Sequence, residues 1–301
     1  MATYSIVARD GSGALGVAVQ SHWFNVGAVV PWVEAGVGAV AVQSIPDPSH
    51  GPRALALLRE GLAPADVLAR LIGEDPQAAY RQIGIVDASG RAAAHTGELC
   101  IAEAGHETGD GVTVQANLME RPTVWPAMLR AFEGTGGDLA ERLLRALEAA
   151  EAEGGDVRGR QSAAIVVRPA PGSDGPDLDL RVEDHPDPVG ELRRLVLLGR
   201  AYHELNRGDA LIAAGDVDGA SAAYARATGL VPDGATGGEA PFWAGVALAG
   251  AGRLDEALPY LRRAAAVDGR WAGMLDRLAR SRLLPDDPGL LERLRRAMEA
   301  P

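Results

Sequence analysis

Residues 3–8 alternate along Thr3, Tyr4, Ser5 and Ile6, the period-two pattern of a strand. Asp10-Gly11-Ser12-Gly13 reads as a turn, and residues 14–20 form a second strand, so the pair predicts a hairpin. Two further strand-like runs follow at 27–32 and 36–43, and their Gly and Val content suits a sheet covered on both faces. The period then changes. Leu55 and Leu58 stand at helical spacing within 51–60, Pro64 opens a helix over 64–72, and Asp75-Pro76 repeats that start signal. Strand patterns return at 82–87, continue through the Ser89-Gly90 turn to 95, and recur at 112–117. Helices are predicted over 123–132 and 139–151. In the second, Asp138 and Glu141 form a capping box ahead of a stripe of Leu139, Leu143, Leu144 and Leu147. Strands at 162–168 and 178–182 complete the set.

Strands adjacent in sequence are mostly joined by short turns, which predicts largely antiparallel sheets. The helices come in blocks and must cover outer faces. Two stacked sheets between helical layers meet both demands, giving an α+β fold with four αββα layers; the strict alternation of a doubly wound parallel sheet is absent. His185-Pro186-Asp187-Pro188 is a stiff link. Beyond it the chain reads as helical, and the expected division is 1–197 for the sandwich and 198–301 for an all-α tail. Within the tail, Gly208, Leu211, Gly215, Ala220, Tyr224 and Ala227 match Gly245, Leu248, Gly252, Ala257, Leu261 and Ala264 at a spacing of 37, in the small-and-large pattern of a tetratricopeptide repeat.

Composition narrows the functional classes. A net charge of -12 with no basic block disfavours nucleic acid and anionic membranes. The single cysteine, Cys100, excludes an intramolecular disulfide and a multi-cysteine zinc site, and reads as a small buried hydrophobe. No apolar run is long enough to span a membrane. The N-terminus has neither a basic nor an apolar leader region, so a cytoplasmic protein is expected. The six histidines show no metal-ligand spacing, and no phosphate loop or Gly-x-Ser-x-Gly elbow is present. No metal or cofactor is expected.

Specific segments carry a family resemblance. They are Thr3-Tyr4-Ser5-Ile6-Val7-Ala8-Arg9-Asp10, Gly16-Val17-Ala18-Val19-Gln20-Ser21, Ala35-Gly36-Val37-Gly38-Ala39-Val40, Ala94-His95-Thr96-Gly97, and Gly154-Gly155-Asp156-Val157-Arg158-Gly159-Arg160-Gln161-Ser162. His185-Pro186-Asp187-Pro188-Val189 closes the pattern. Together they resemble the domain-of-unknown-function family 1028, which is placed in the N-terminal-nucleophile (Ntn) hydrolase superfamily by similarity. That resemblance implies a Thr, Ser or Cys nucleophile at the first residue of a strand, with its own α-amine as base. Thr3 occupies that position; it is equally a good strand former. After loss of Met1, Ala2 still precedes Thr3, so the mechanism requires that Ala2 also be removed.

Other candidates surround this one. Asp156, Arg158 and Arg160 crowd a Gly-rich loop, where an Arg fork suits a substrate carboxylate or, equally, an internal Asp–Arg bridge. Gln161 and Ser162 are placed to donate to an oxyanion. Ser21, Asn117 and His95 stand at strand ends, where turn or structural roles are the commoner use. The reading is an amidohydrolase acting on a small amide or amino-acid-like substrate through Thr3. The alternative is a non-catalytic ligand-binding or scaffold protein whose helical tail takes a protein partner. A homo-oligomer is compatible with either.

Overall fold

The structure is a computed structural model that describes residues 2–285 and 287–299. The chain divides into two compact units between Val196 and Leu197.

Among the described residues the first unit holds ten strands in two antiparallel sheets. The larger has the order β10-β9-β2-β1-β8-β7 and the smaller β3-β4-β5-β6. The larger is built from β1 (Thr3–Arg9), β2 (Leu15–Ser21), β7 (Gly105–Gly109), β8 (Val112–Asn117), β9 (Ser162–Arg168) and β10 (Leu178–Val182). The smaller comprises β3 (Pro31–Glu34), β4 (Gly38–Ser44), β5 (Arg81–Asp87) and β6 (Ala92–Thr96). Helices α1 (His50–Arg59) and α2 (Pro64–Glu74) pack on the outer face of the small sheet through Leu55, Leu58, Val67 and Leu71 against Val40, Ile83 and Ile85. Helices α3 (Val124–Gly134) and α4 (Leu139–Ala152) cover the large sheet through Met128, Phe132, Leu143 and Leu147 against Tyr4, Ile6 and Val114. The four-layer αββα architecture is therefore the one the strand and helix order predicts.

Strand alternation sorts each residue to one layer. In β1, Tyr4, Ile6 and Ala8 face α3 and α4, while Val7 enters a small apolar core between the sheets with Val17, Val19, Ala39, Ala41 and Val86. Towards the start of β1 the inter-sheet layer turns polar. Ser5 Oγ donates to Gln43 Oε1 at 2.6 Å, Gln115 Nε2 donates to Ser5 Oγ at 2.6 Å, and Thr113 Oγ1 donates to Gln115 Oε1 at 2.7 Å. Gln43 Nε2 donates to Gln82 Oε1 at 2.8 Å, and Gln82 Nε2 donates to Ala116 O at 2.8 Å. These side chains are fully buried, so each hydrogen bond removes an unsatisfied group that would otherwise cost about 1–3 kcal/mol. The sheets approach so closely here that a Cβ on Gly84 would lie 2.2 Å from Gln115 Oε1, which leaves glycine as the residue that fits.

Several elements differ from expectation. The run 27–32 is a strand only from Pro31; Val26–Ala28 is a short 3₁₀ turn that follows a left-handed Asn25. Asp75-Pro76 starts no α-helix. Asp75 instead caps the chain locally by accepting from Gln77 N and binding Arg81, and only the short turn Ala78–Tyr80 follows. Strand β7 carries no apolar alternation and pairs at the sheet edge. Cys100, expected to be a buried hydrophobe, is instead half-buried in a turn closed by its N–H on Gly97 O, with its thiol facing Arg81 O at 3.4 Å.

The second unit is helical, with α5 (Pro188–Ala213) crossing the division and α6 (Val217–Leu230), α7 (Glu239–Gly250), α8 (Leu254–Val267), α9 (Leu275–Arg280) and α10 (Pro288–Glu299) following. The ring of Tyr224 lies against Gly208, and Leu261 lies against Gly245. Ala220, Ala227, Ala257 and Ala264 are all fully buried. The same small-against-large contact thus recurs at the spacing seen in the sequence. No helix among the described residues is long and apolar enough to cross a membrane.

Candidate functional site

Thr3 begins the central pair of strands in the large sheet, flanked by Asn117 of β8 in the register and by Ser21 of β2, which follows Gln20, the partner of Tyr4. Alternation turns all three towards the small sheet. Thr3 Oγ1 donates to Ser21 Oγ at 3.2 Å, and Ser21 Oγ in turn donates to the carbonyl oxygen of Ala2. Arg158 Nη2 donates to the same carbonyl at 3.1 Å. The peptide carbonyl that precedes Thr3 therefore has two donors, one of them cationic. Ala2, Thr3 and Ser21 are all essentially inaccessible to solvent.

The loop after α4 supplies the cationic donor. Gly154 and Gly155 take positive φ values of 108° and 61°, a conformation that favours glycine, and deliver Asp156 beneath the sheet end. Asp156 accepts from His22 N at 2.9 Å, from Arg158 N at 2.9 Å, and from Arg158 Nε and Nη2 at 3.1 and 2.9 Å. Nε and Nη2 of the guanidinium are thus engaged with Asp156, and Nη2 donates its second hydrogen to Ala2 O. A charge-assisted pair this buried on the carboxylate side fixes the guanidinium in place.

Asn117 Nδ2 donates to Gln82 Oε1 at 2.9 Å and lies 3.4 Å from Thr3 O. Its Oδ1 is buried without a hydrogen-bond partner. Gln43 Nε2 also donates to Thr3 O, at 3.2 Å. The backbone of Thr3 is consequently held from both sheets, and Gln43, Gln82 and Gln115 are site neighbours that sequence reasoning missed. The readable signal is a polar residue at the end of the apolar run 37–42 and at the start of the run 83–86.

The remaining candidates lie elsewhere. Arg160 turns to the opposite face of the sheet, where its Nε sits 3.0 Å from Glu151 Oε2, and Tyr4 Oη donates to Glu151 Oε1 at 3.0 Å. Burial raises the Glu151 carboxyl above its usual range against the pull of Arg160, and burial followed by Glu151 raises the Tyr4 phenol. Gln161 donates to Asp184 at 3.2 Å. Ser162 Oγ donates to Trp23 O and accepts from Val26 N, so it pins the loop after β2. His95 pairs with Ile83, on the α1/α2 side of the small sheet, and its Nε2 faces Ala78 O at 3.2 Å. Among the described residues no imidazole hydrogen-bonds the Thr3 hydroxyl, and no group of three or more His, Cys, Asp or Glu could hold a metal ion.

Chemically, the cluster polarises one carbonyl and links it through Ser21 to an adjacent hydroxyl. A solved structure of similar sequence agrees with the fold. The crystal structure of protein SPO2555 from Silicibacter pomeroyi, itself assigned to DUF1028, is 34% identical with a TM-score of 0.60, over 65% of this chain and 88% of that one. A more distant similarity is to Anbu, the ancestral beta-subunit from Yersinia bercovieri, at 14% identity and a TM-score of 0.31, over 64% of this chain and 91% of that one. No curated protein matches the chain. The description "family of unknown function (DUF1028)" matches residues 3–192, and the chain belongs to that family.

Proposed function

We propose that the first unit is an amidohydrolase that acts on a small amide or amino-acid-like substrate by acyl transfer through Thr3, once Ala2 has been released. The observation that carries this reading is the double grip of Ser21 and Arg158 on the Ala2 carbonyl, directly before the Thr3 hydroxyl. Such donors stabilise the oxyanion that forms when a carbonyl is attacked.

The grip supports a first, self-directed step. Thr3 Oγ1 adds to the Ala2 carbonyl carbon, and its proton passes through the Ser21 hydroxyl to the carbonyl oxygen. The five-membered adduct collapses with cleavage of the Ala2–Thr3 C–N bond; the proton moves to the Thr3 nitrogen and an ester remains on Oγ1. Water hydrolyses that ester, which restores the hydroxyl and leaves a free α-amine. An amine of pKa ~7.7–8.0 accepts a hydroxyl proton near neutral pH. Asn117, the register partner of Thr3, carries a buried Oδ1 without a partner, and we assign it as the acceptor for that amine. A substrate carbonyl then occupies the position of Ala2 O, and its acyl group the small apolar space in which Ala2 is buried among the residues beneath α3 and α4.

A second reading, a non-catalytic ligand-binding or scaffold protein, is favoured by the complete burial of Thr3 behind an intact Ala2 peptide. The two separate on reaction with a hydroxyl-directed β-lactone and on turnover of a library of small amides. Labelling at Thr3 and turnover that Thr3→Ala abolishes support the enzyme. Absence of both favours the scaffold.

A further inference from the structure

We propose that the end of the sandwich at which β1 begins is a homodimer interface, docking against the same end of a second copy of this chain. Among the described residues, seven large hydrophobic side chains of the first unit are exposed, and all seven stand in loops at this end. Trp23 and Phe24 follow β2, Ile45 follows β4, Tyr80 precedes β5, and Leu99 and Ile101 lie between β6 and β7. Val157, before β9, is the seventh. The loops at the opposite end, around Ser12, Gly36, Ser89 and Asp110, expose none.

Hydrogen bonds join these loops into one rim. Ile45 N donates to Tyr80 O, Leu99 N to Ala79 O, Leu118 N to Ile101 O, and Val157 N to Leu118 O. Asp156 then ties this arc to His22, next to Trp23. The loops that carry the seven side chains are thus tied to one another around this end. Exposures run from 40% for Tyr80 to 60% for Phe24. With aromatic side chains able to bury about 150–250 Å² each, the rim presents on the order of 600 Å² of apolar surface. That reaches the upper bound for the largest patch on a typical monomer, ~300–600 Å². It is also most of the ~800 Å² that each partner contributes to a stable complex.

The area favours a macromolecular partner, and self-complementarity favours a second copy. An apolar rim needs no matching partner to be complementary to itself, and a two-fold contact uses the same patch twice. The proposal does not depend on Thr3 chemistry, and Thr3→Ala protein should associate as the wild type does.

Sedimentation equilibrium of the full chain tests it. Wild-type protein at micromolar concentration should run at twice the chain mass of 31.2 kDa. A Trp23→Asp, Phe24→Asp variant should raise the dissociation constant by about a hundredfold or more, while Leu283→Asp, at an exposed site in the second unit, should leave it unchanged. Should the double variant fail to fold, the milder Phe24→Ser and Leu99→Ser should each still weaken association by about tenfold. A monomeric wild type overturns the proposal, including one whose rim binds an apolar fluorescent dye, which would assign the patch to a small ligand. A dimer indifferent to the rim variants overturns it equally.

Discussion

Thr3 Oγ1 donates to Ser21 Oγ at 3.2 Å, across eighteen residues of sequence and one strand of the sheet. Ser21 Oγ in turn donates a hydrogen bond to the Ala2 carbonyl oxygen. This two-bond path joins the proposed nucleophile to the bond it must first break.

Ser21→Ala should therefore slow release of Ala2 by about a hundredfold or more, because the relay and one oxyanion donor are lost together. The two lost hydrogen bonds should lower stability by only about 1–3 kcal/mol. Time-resolved intact mass measurement alongside chemical denaturation separates the two effects. Release at the wild-type rate would show that Ser21 is not on the proton path.

Gly84→Ala should destabilise the first unit by about 1–3 kcal/mol through overpacking against Gln115 and Thr113. The damage should spread to the site, since Gln115 holds Ser5, Ser5 holds Gln43, and Gln43 holds Thr3 O. Crystallography or amide exchange at Thr3 checks the coupling. An unchanged melting midpoint would mean that the two sheets separate at little cost.

Much of this architecture is legible in the sequence, for reasons that also explain the gaps. Val112–Asn117 and Ser162–Arg168 are strands as read, because alternation or an apolar run bounded by turn residues leaves no competing period. Asp138 caps α4 as its spacing with Glu141 requires, accepting from Glu141 N at 2.9 Å. Strand β7, Gly-His-Glu-Thr-Gly, has no such signal; edge pairing to β8 makes it a strand. The site divides likewise. Thr3, Ser21, Asn117, Asp156 and Arg158 converge, the first three because strand ends meet in register and the last two because a Gly-Gly turn carries them there. Arg160 and His95 end on other faces, since one residue's shift along a strand or loop reverses the side it presents. Gln43, Gln82 and Gln115 resemble solvent-facing strand residues, and only the second sheet turns them into an interior network.

Acid should weaken the fold in two separate windows. His50 is buried at the start of α1 with Nε2 3.6 Å from Asp75 Oδ2, and burial holds its imidazole below the ordinary range in spite of Asp47 and Asp75. His106 is shifted the same way, again chiefly by burial. A histidine kept neutral in the fold but free to protonate when unfolded contributes stability that is complete above pH ~6.5 and declines as pH falls from there towards its folded value. Asp75, held low first by its hydrogen bond from Arg81, and Asp47, held low by hydrogen bonds from Ser49, contribute stability that is lost only below pH ~4. Denaturation from about pH 7 to about pH 5 should show a falling midpoint, with a shallower slope in His50→Gln. Equal slopes would remove His50 from the explanation.

The helical unit should be separable. Val189, Leu192 and Val196 pack into the first unit's core, whereas Leu205 and the side chains beyond it belong to the second. A chain ending near Arg200 should remain soluble and melt cooperatively, as judged by circular dichroism. Aggregation of every such truncation would show that the first unit needs the tail to fold.

The central claim is that Thr3 becomes the first residue of the active protein. The sequence permits an unusually clean assay, since none of its 301 residues is lysine and the α-amine is the sole primary amine of the chain. Amine-specific labelling of active protein, read by intact mass and fragmentation, reports that terminus alone. The expected result is a chain lacking Ala2 with one label on Thr3, and a Thr3→Ala control that retains Ala2 and does not turn over. Active protein that retains Ala2 throughout would contradict the account, because Thr3 would then have an amide in place of its base.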